Sequence, residues 1–202
     1  MFAKDYRQRA WQSLNGHWGP MAIICLVYIL LSFVLSYTYI GSLLLSGVLM
    51  IGLASASLSV LRAGDARVEY LFDGFKGNLT NALVASVLYN LFIFLWSLLF
   101  VIPGIVKTYS YAMTFYILRD NPNMSANDAI TASRKMMDGN KFRLFCLHFS
   151  FIGWIILSAF TFGILMLWVA PYMQTAQAAF YEDLCAKQTA EPASADYFGE
   201  NA

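Results

Sequence analysis

Three long stretches of this chain carry almost no charge, and their lengths limit what the chain can fold into. Residues 10–61 and 144–181 contain no Asp, Glu, Lys or Arg, and residues 77–118 contain only Lys107. A helix needs about 20 apolar residues to cross the hydrocarbon core of a bilayer. Each stretch is therefore long enough for two membrane-spanning helices and too short for three.

The composition also favours a membrane protein. Of the 202 residues, 59% are hydrophobic and 12% are charged, whereas about 25% of the residues of a typical soluble domain are charged. These values exclude an intrinsically disordered chain and a basic nucleic-acid-binding domain. The stretches also lack the alternation of apolar and polar residues that marks the strands of a membrane β-barrel. We therefore expect an all-α integral membrane protein with no nucleic-acid partner.

Residues that favour a turn lie near the middle of each stretch and divide it into two helices. These residues are Gly41, Pro103 with Gly104, and Gly163. The sequence thus predicts six transmembrane helices arranged as three hairpins. Their approximate spans are residues 20–40, 42–61, 79–102, 104–119, 143–160 and 163–182.

The positions of the charges predict the orientation. Apart from Lys107, every charged residue lies outside the three stretches, and the three hairpin turns carry none. Lys and Arg concentrate in loops on the cytoplasmic side of a membrane. Both termini and both long loops are therefore predicted to be cytoplasmic. The span 104–119 is short and polar, but without it the basic residues of segment 119–143 would lie outside.

The chain also shows an internal threefold pattern. Gly16, Gly77 and Gly139 follow one another at spacings of 61 and 62 residues, and each precedes one predicted hairpin. Glycine suits a helix end with a left-handed residue, where the chain would turn from lying flat to crossing the membrane. The predicted repeat units are about residues 1–61, 62–120 and 121–186. They form a single membrane domain of residues 1–188, and residues 189–202 are predicted to be a polar, disordered cytoplasmic tail.

A short amphipathic stretch precedes each of these glycines. The residues that share one helical face are Ala3, Tyr6, Ala10 and Leu14 in the first stretch, Val68, Leu71, Phe72 and Phe75 in the second, and Ala126, Ala129, Ile130, Ser133 and Met137 in the third. Ser125 followed by Asp128 is typical of a capping box at the start of the third. Helices with charge on one face tend to lie in the membrane interface. Each hairpin is therefore predicted to follow a short interfacial helix.

With these features in view, the chain resembles a known family. The most specific matching segment runs from Leu95 to Lys107 and reads LWSLLFVIPGIVK, and further matching segments are residues 9–19, 125–139 and 171–181. The chain resembles the bacterial integral-membrane family called "domain of unknown function nine-seven-five". The resemblance implies a multi-pass protein of the bacterial cell membrane, and it assigns no activity and no catalytic residue.

Polar side chains on the second helices of two hairpins are candidates for a functional site. The second hairpin carries Tyr111 and Thr114, and the third carries Gln174 and Gln177 below Pro171. Small and hydrogen-bonding residues commonly hold membrane helices together. The alternative is a polar cavity for lipid or solute among the inner helices. Pro171 frees a carbonyl group within its helix, which suits both interpretations.

The cationic residues leave similar alternatives open. Lys107 is the single charge in the predicted outer half of the membrane, where it either snorkels to the headgroups or contacts a substrate or ion. Arg134 and Lys135 lie beside the third amphipathic stretch and either mark the cytoplasmic side or bind anionic lipid headgroups. Three acidic residues at predicted cytoplasmic helix ends are expected to be solvated, namely Asp120, Glu182 and Asp183.

No catalytic motif or phosphate-binding glycine loop is present in the sequence, so neither an enzyme nor a cofactor is expected. His148 has no metal-ligating residue at suitable spacing and is expected to be a buried, hydrogen-bonded histidine. The sequence favours a non-enzymatic accessory or assembly protein of the cell envelope that interacts with lipids, with another membrane protein or with itself. A small transporter or export component is the alternative. A lipid-modifying enzyme would have to rely on Lys107 or His148.

Overall fold

The structure is a computed structural model that describes residues 3–37, 39–76, 79–99, 101–161 and 163–199, and every regular element in those ranges is helical. The all-α fold class is therefore confirmed. Three helical segments are long and apolar enough to cross a membrane, and a fourth qualifies if the first two helices form one bent span. The three segments are Leu45–Ala63, Leu79–Leu98 and Lys141–Phe160.

The first two helices meet at a sharp bend. Helix α1 (Ala3–Leu14) and helix α2 (Trp18–Ser36) are bent by 103° relative to each other. Gly16 lies between them with φ at 87°, in the left-handed region that favours glycine. The face of α1 that contains Tyr6, Ala10 and Leu14 is buried inside the protein. The amphipathic face thus packs on the other helices of this chain.

Helix α3 (Tyr39–Ala63) is the most enclosed of the candidate spans. In its apolar stretch 67% of the residues are buried, whereas the value is 17% in Leu79–Leu98 and 22% in Lys141–Phe160. Gly41 lies inside this helix, so the turn expected there is helical instead. Many large apolar side chains of the other two spans are exposed, among them Phe94, Leu98 and Phe160.

A 3-10 helix (Val68–Phe72) and helix α4 (Asp73–Lys76) lie directly against α3. A Cβ atom on Gly52 would overlap the carbonyl oxygen of Leu71, and one on Gly74 would overlap the carbonyl oxygen of Val48. The two backbones therefore approach each other at glycines. Of the second amphipathic face, Leu71 is fully buried, whereas Phe72 and Phe75 are exposed. Gly77, the second predicted hinge, lies outside the described residues.

The second hairpin consists of helix α5 (Leu79–Leu99), helix α6 (Val101–Tyr111) and helix α7 (Thr114–Asp120). Pro103 lies in the first turn of α6, where its missing N–H group breaks no helical hydrogen bond. A Cβ atom on Gly104 would lie 2.6 Å from Ser97 Oγ, so glycine allows α5 and α6 to pack closely. The predicted span 104–119 is thus a helix that is broken between Tyr111 and Thr114.

Helix α8 (Ala126–Met136) follows and packs against this break. The N-cap residue of this helix is Ser125, whose side chain accepts a hydrogen bond from the Asp128 N–H group at 3.2 Å. The predicted helix start at Ser125 is therefore confirmed. On the buried face of α8, the Ser133 hydroxyl accepts from the Met113 N–H group at 3.2 Å and donates to the Ser110 carbonyl oxygen at 3.0 Å. The predicted amphipathic face is therefore buried against the second hairpin.

The last hairpin consists of helix α9 (Lys141–Phe149), helix α10 (Ile152–Phe160) and helix α11 (Met166–Gly199). Gly139 precedes it with φ at 70°, and Gly163 lies in its turn with φ at 82°. Helix α11 includes the backbone of residues 189–199, for which the sequence predicts a disordered tail. The side chains of residues 189–202 lie outside the description.

Candidate functional site

Charged residues of three inner helices meet at one end of the molecule. Arg62, near the end of α3, donates through both terminal amino groups to the two carboxylate oxygens of Asp120, at 3.1 and 3.0 Å. Its Nε donates to Glu182 of α11 at 2.9 Å. Asp120 ends α7 and also accepts from Arg119 at 2.9 Å. Bidentate pairs of this kind fix geometry as well as charge.

Two outer helices extend this arrangement. Arg9 of α1 donates to Glu182 at 2.6 Å, and Arg143 of α9 donates to Asp183 at 2.9 Å. The Tyr6 hydroxyl donates to Asp183 at 2.6 Å. We call this set the charge cluster, and its ionised members are Arg9, Arg62, Arg119, Asp120, Arg143, Glu182 and Asp183. It connects α1, α3, α7, α9 and α11.

The contacts within the cluster shift the pKa values of Asp120, Asp183 and Tyr6. Burial opposes the charged forms of Asp120 and Asp183, but hydrogen bonds from Arg62 and Arg119 to Asp120, and from Tyr6 and Arg143 to Asp183, hold the pKa of both carboxyl groups below the usual 3.8. Burial, followed by the hydrogen bond to Asp183, raises the pKa of Tyr6. The acids are therefore ionised and the phenol is neutral at physiological pH.

The charge cluster differs from the solvated helix ends that the sequence predicts. The side chains of Asp120, Glu182 and Asp183 are 22%, 15% and 14% exposed and are paired across helices. The sequence holds one signal of this arrangement. The second helix of each predicted hairpin ends at or next to a charged residue, and these residues are Arg62, Asp120 and Glu182. The pairing itself depends on helix positions that no local pattern encodes.

A cavity of about 350 Å³ lies beside the cluster, between α3, α4, α5 and α7. We call it the α4 cavity. Among the described lining residues, Lys76 and Arg119 are cationic, Ser55 and Asn81 are polar and uncharged, and Asp73 is acidic. The apolar part of its wall consists of Ile51, Ala82, Leu118 and Pro122. The sequence did not indicate this cavity, because its lining comes from four separate elements.

The predicted polar residues of the inner helices are packed. Tyr111 is 5% exposed and its ring lies beside Tyr89 and Phe92, with centroids 6.4 and 6.2 Å apart. Thr114 is fully buried, and its hydroxyl has no hydrogen-bond partner among the described residues. Gln174 and Gln177 are half-buried on α11. None of the cavities found among the described residues is lined by these four side chains.

Several buried hydroxyl groups bond within their own helix. Ser57 donates to the Leu53 carbonyl oxygen, Ser110 to that of Val106, and Thr175 to that of Pro171, at 2.9, 2.9 and 2.8 Å. In each pair the acceptor lies four residues earlier, so the donor's side chain needs no water. Thr175 thereby occupies the carbonyl oxygen of Pro171 itself. These contacts favour helix packing over a hydrated path.

Lys107 has an aromatic partner in the same hairpin. Its ammonium group lies 4.4 Å from the centroid of the Trp96 ring on α5. A cation over the face of Trp is attracted by the ring quadrupole. Lys107 therefore has an attractive partner within its own chain.

The other candidate residues lie apart from one another. Arg134 and Lys135 are exposed on α8, and neither has an acidic partner among the described residues. His148 is half-buried on α9, beside the Tyr109 ring. In the described part of the chain, no three His, Cys, Asp or Glu residues lie close enough to hold a metal ion.

Comparison with known proteins supplies a family and no activity. A family model described as "Protein of unknown function (DUF975)" matches residues 1–110 and 98–188, and so covers most of the chain. No curated protein and no solved structure matches the chain.

Proposed function

We propose that this chain, which belongs to the family of proteins of unknown function DUF975, is a non-enzymatic accessory protein of the bacterial cytoplasmic membrane that binds anionic lipids at its charged end. The single observation that carries the proposal is the pair Arg134 and Lys135. Both are exposed on α8, whose opposite face is buried in the protein, and neither has an acidic partner among the described residues.

Exposed apolar side chains support the placement in a membrane. Phe33 of α2, Leu98 of α5 and Phe160 of α10 are 61%, 76% and 79% exposed, and many large apolar neighbours on these helices are exposed as well. A soluble monomer rarely exposes an apolar surface of this extent. Lipid acyl chains would cover it in a bilayer.

The proposal includes six spans in three hairpins, with α2, the broken helix α6–α7 and α11 added to the three apolar segments. Helix α7 is almost entirely buried, and the polar residues Gln174 and Gln177 of α11 are half-buried. Helices that contact other helices need not be apolar on every face. A span that is surrounded by other helices can therefore be less apolar than a span that faces lipid. The glycine bend at Gly16, with a second left-handed glycine at Gly139, supports the threefold repeat.

The charge distribution supports the orientation. Arg134 and Lys135 belong to the basic segment 119–143, which would lie on the cytoplasmic side together with both termini. Anionic lipids of that leaflet attract basic residues near the surface by about 1 kcal/mol each. Each arginine of the charge cluster is paired with an acid of the same chain, whereas Arg134 and Lys135 have no acidic partner among the described residues.

The test is the lipid preference of the purified protein. In nanodiscs, we expect native mass spectrometry to show enrichment of phosphatidylglycerol over phosphatidylcholine around the protein. The double variant Arg134→Gln with Lys135→Gln should lower this enrichment by about thirtyfold, which corresponds to about 2 kcal/mol. The control variant is Lys107→Gln, because that cation lies against Trp96 on the proposed outer side, and it should leave the enrichment unchanged.

Two outcomes would overturn the proposal. One is that the protein, purified in mild detergent, carries no bound lipid and no membrane-protein partner. The other is transport of a solute by the reconstituted protein, which would favour the alternative of a small transporter despite the locally bonded hydroxyl groups of the inner helices.

A further inference from the structure

We infer that the α4 cavity binds the phosphate ester of a glycerophospholipid headgroup while the acyl chains remain in the bilayer. This inference rests on the proposed function and names a site within it that is separate from Arg134 and Lys135. It follows from the composition of the cavity, the positioning of its arginine and the apolar side chains at its edge.

The first step concerns the donors in the cavity. Lys76 and Arg119 contribute ammonium and guanidinium N–H groups to the lining, and Ser55 contributes a hydroxyl. The amide of Asn81 already donates to the Met124 carbonyl oxygen at 2.9 Å, so the two cations are the donors that matter here. A phosphate ester presents anionic oxygens that accept hydrogen bonds, and cationic donors give the strongest of these bonds. The apolar wall beside these donors suits the glycerol carbons of a headgroup.

The second step concerns the position of Arg119. Its Nη1 donates to Asp120 at 2.9 Å and its Nε donates to Ser55 at 3.4 Å, while no described residue accepts from its Nη2. The guanidinium is therefore held on two sides by the protein and keeps one amino group for a ligand. A positioned arginine loses less entropy on binding than a mobile one.

The third step concerns the acid in the lining. Asp73 would repel a phosphate ester, but its carboxylate already accepts from Lys76 at 3.2 Å. Lys76 is 67% exposed in this pair and has a flexible stem. The described lining residues include two cations, Lys76 and Arg119, and one acid, Asp73. An ester phosphate can therefore share Lys76 with Asp73 and take the remaining charge of Arg119.

The fourth step places the cavity at a lipid surface. Phe72 directly precedes α4 and Phe75 lies within it. The two side chains are 43% and 42% exposed, and their ring centroids are 6.3 Å apart. Two exposed phenyl rings beside a cationic cavity are typical of a segment that lies at the boundary of headgroups and acyl chains. The volume of about 350 Å³ is near the lower limit for ligand pockets and accommodates a headgroup without its chains.

The experiment measures which lipids the full-length protein retains during delipidation, by native mass spectrometry. The probes are phosphatidylglycerol, phosphatidylethanolamine and diacylglycerol, which lacks the phosphate. We expect one retained molecule of either phospholipid and no retained diacylglycerol. Lys76→Gln should weaken retention about fivefold. The matched control is Lys187→Gln, an exposed lysine that is paired with Asp183 at 3.6 Å and lies outside this cavity.

Retention of diacylglycerol, or equal losses in Lys76→Gln and Lys187→Gln, would overturn the inference. If the double variant of Arg134 and Lys135 loses the retained lipid and Lys76→Gln does not, the proposed function stands and the cavity site is wrong. A final arm uses glycerol 3-phosphate. If this soluble ester binds in lipid-free detergent and Lys76→Gln weakens its binding, the phosphate site is supported and its ligand is a soluble ester.

Discussion

At the scale of single residues, glycine decides how closely the segments of this protein approach one another. Gly52 and Gly74 lie where α3 meets the segment 68–76, and a Cβ atom at either position would overlap a backbone carbonyl oxygen of the other segment. Gly153 of α10, in contrast, has open space around it. The same residue type is thus indispensable at a backbone crossing and replaceable on an exposed helix.

We expect Gly52→Ala to destabilise the protein by about 1–3 kcal/mol, because the added methyl group collides with backbone that cannot rotate away. The measurement is thermal unfolding in detergent, followed by circular dichroism. Gly153→Ala is the matched control and should leave the melting temperature unchanged or raise it slightly. Equal melting temperatures for the two variants would show that α3 and the segment 68–76 do not pack as described.

At the scale of elements, the amphipathic stretches behave differently from simple interfacial helices. Helices α1 and α8 bury their apolar faces against other helices of the chain, whereas the segment 68–76 exposes Phe72 and Phe75. Helix α8 also supplies Ser133, which bonds across the break between α6 and α7. An amphipathic element here supports a neighbouring broken helix.

Ser133→Ala should therefore destabilise the protein by about 1–3 kcal/mol, since it leaves the buried Met113 N–H group without an acceptor. Equilibrium unfolding in detergent measures the effect. Ser150→Ala serves as the control, because the half-buried Ser150 hydroxyl donates only to Leu147, three residues earlier, at 2.7 Å. A loss in the control as large as that in Ser133→Ala would argue against a special role for the break.

At the scale of the whole molecule, the charge cluster joins helices that are distant in the sequence. Arg62 and Glu182 are 120 residues apart, and Arg9 and Glu182 are 173 apart. The first, middle and last parts of the chain therefore share one set of ion pairs. Removing one partner leaves the others partly buried and uncompensated, so such pairs are costly to break.

Stability should fall at low pH for this reason. The folded protein holds the pKa of Asp120 and Asp183 below the usual 3.8, so it favours their ionised forms more than the unfolded chain does. This contribution is complete above about pH 4 and is lost as the pH falls through the folded pKa values. We expect the melting temperature in detergent to decrease across that range.

Asp120→Asn should flatten this part of the pH profile and lower the melting temperature at neutral pH. Asp138→Asn is the control, since that carboxylate is 87% exposed and its nearest cation, Lys141, is 3.9 Å away. A profile that stays steep in Asp120→Asn would mean that the charge cluster does not link folding to protonation.

Much of this architecture follows from the sequence alone. The helical class, the helix start at Ser125 and the buried faces of α1 and α8 are all visible in residue patterns, because local periodicity reflects the side that a helix buries. The break at Met113 is not visible in this way, because the hydroxyl that compensates it comes from Ser133 on another helix. The sequence also predicts a turn at Gly41, where the structure has a helix. A glycine within a helix cannot be distinguished from a glycine in a turn by local sequence alone.

The sequence by itself determined the helical class of this protein and the presence of segments apolar enough to cross a membrane, because scarce charge and apolar length depend only on composition and order. The tertiary structure alone decided which polar groups meet. It paired Arg62 with Asp120 and Glu182, set Lys107 against Trp96, and formed the α4 cavity from four elements. Each of those contacts joins residues of different helices, so it depends on how the helices pack rather than on any local pattern.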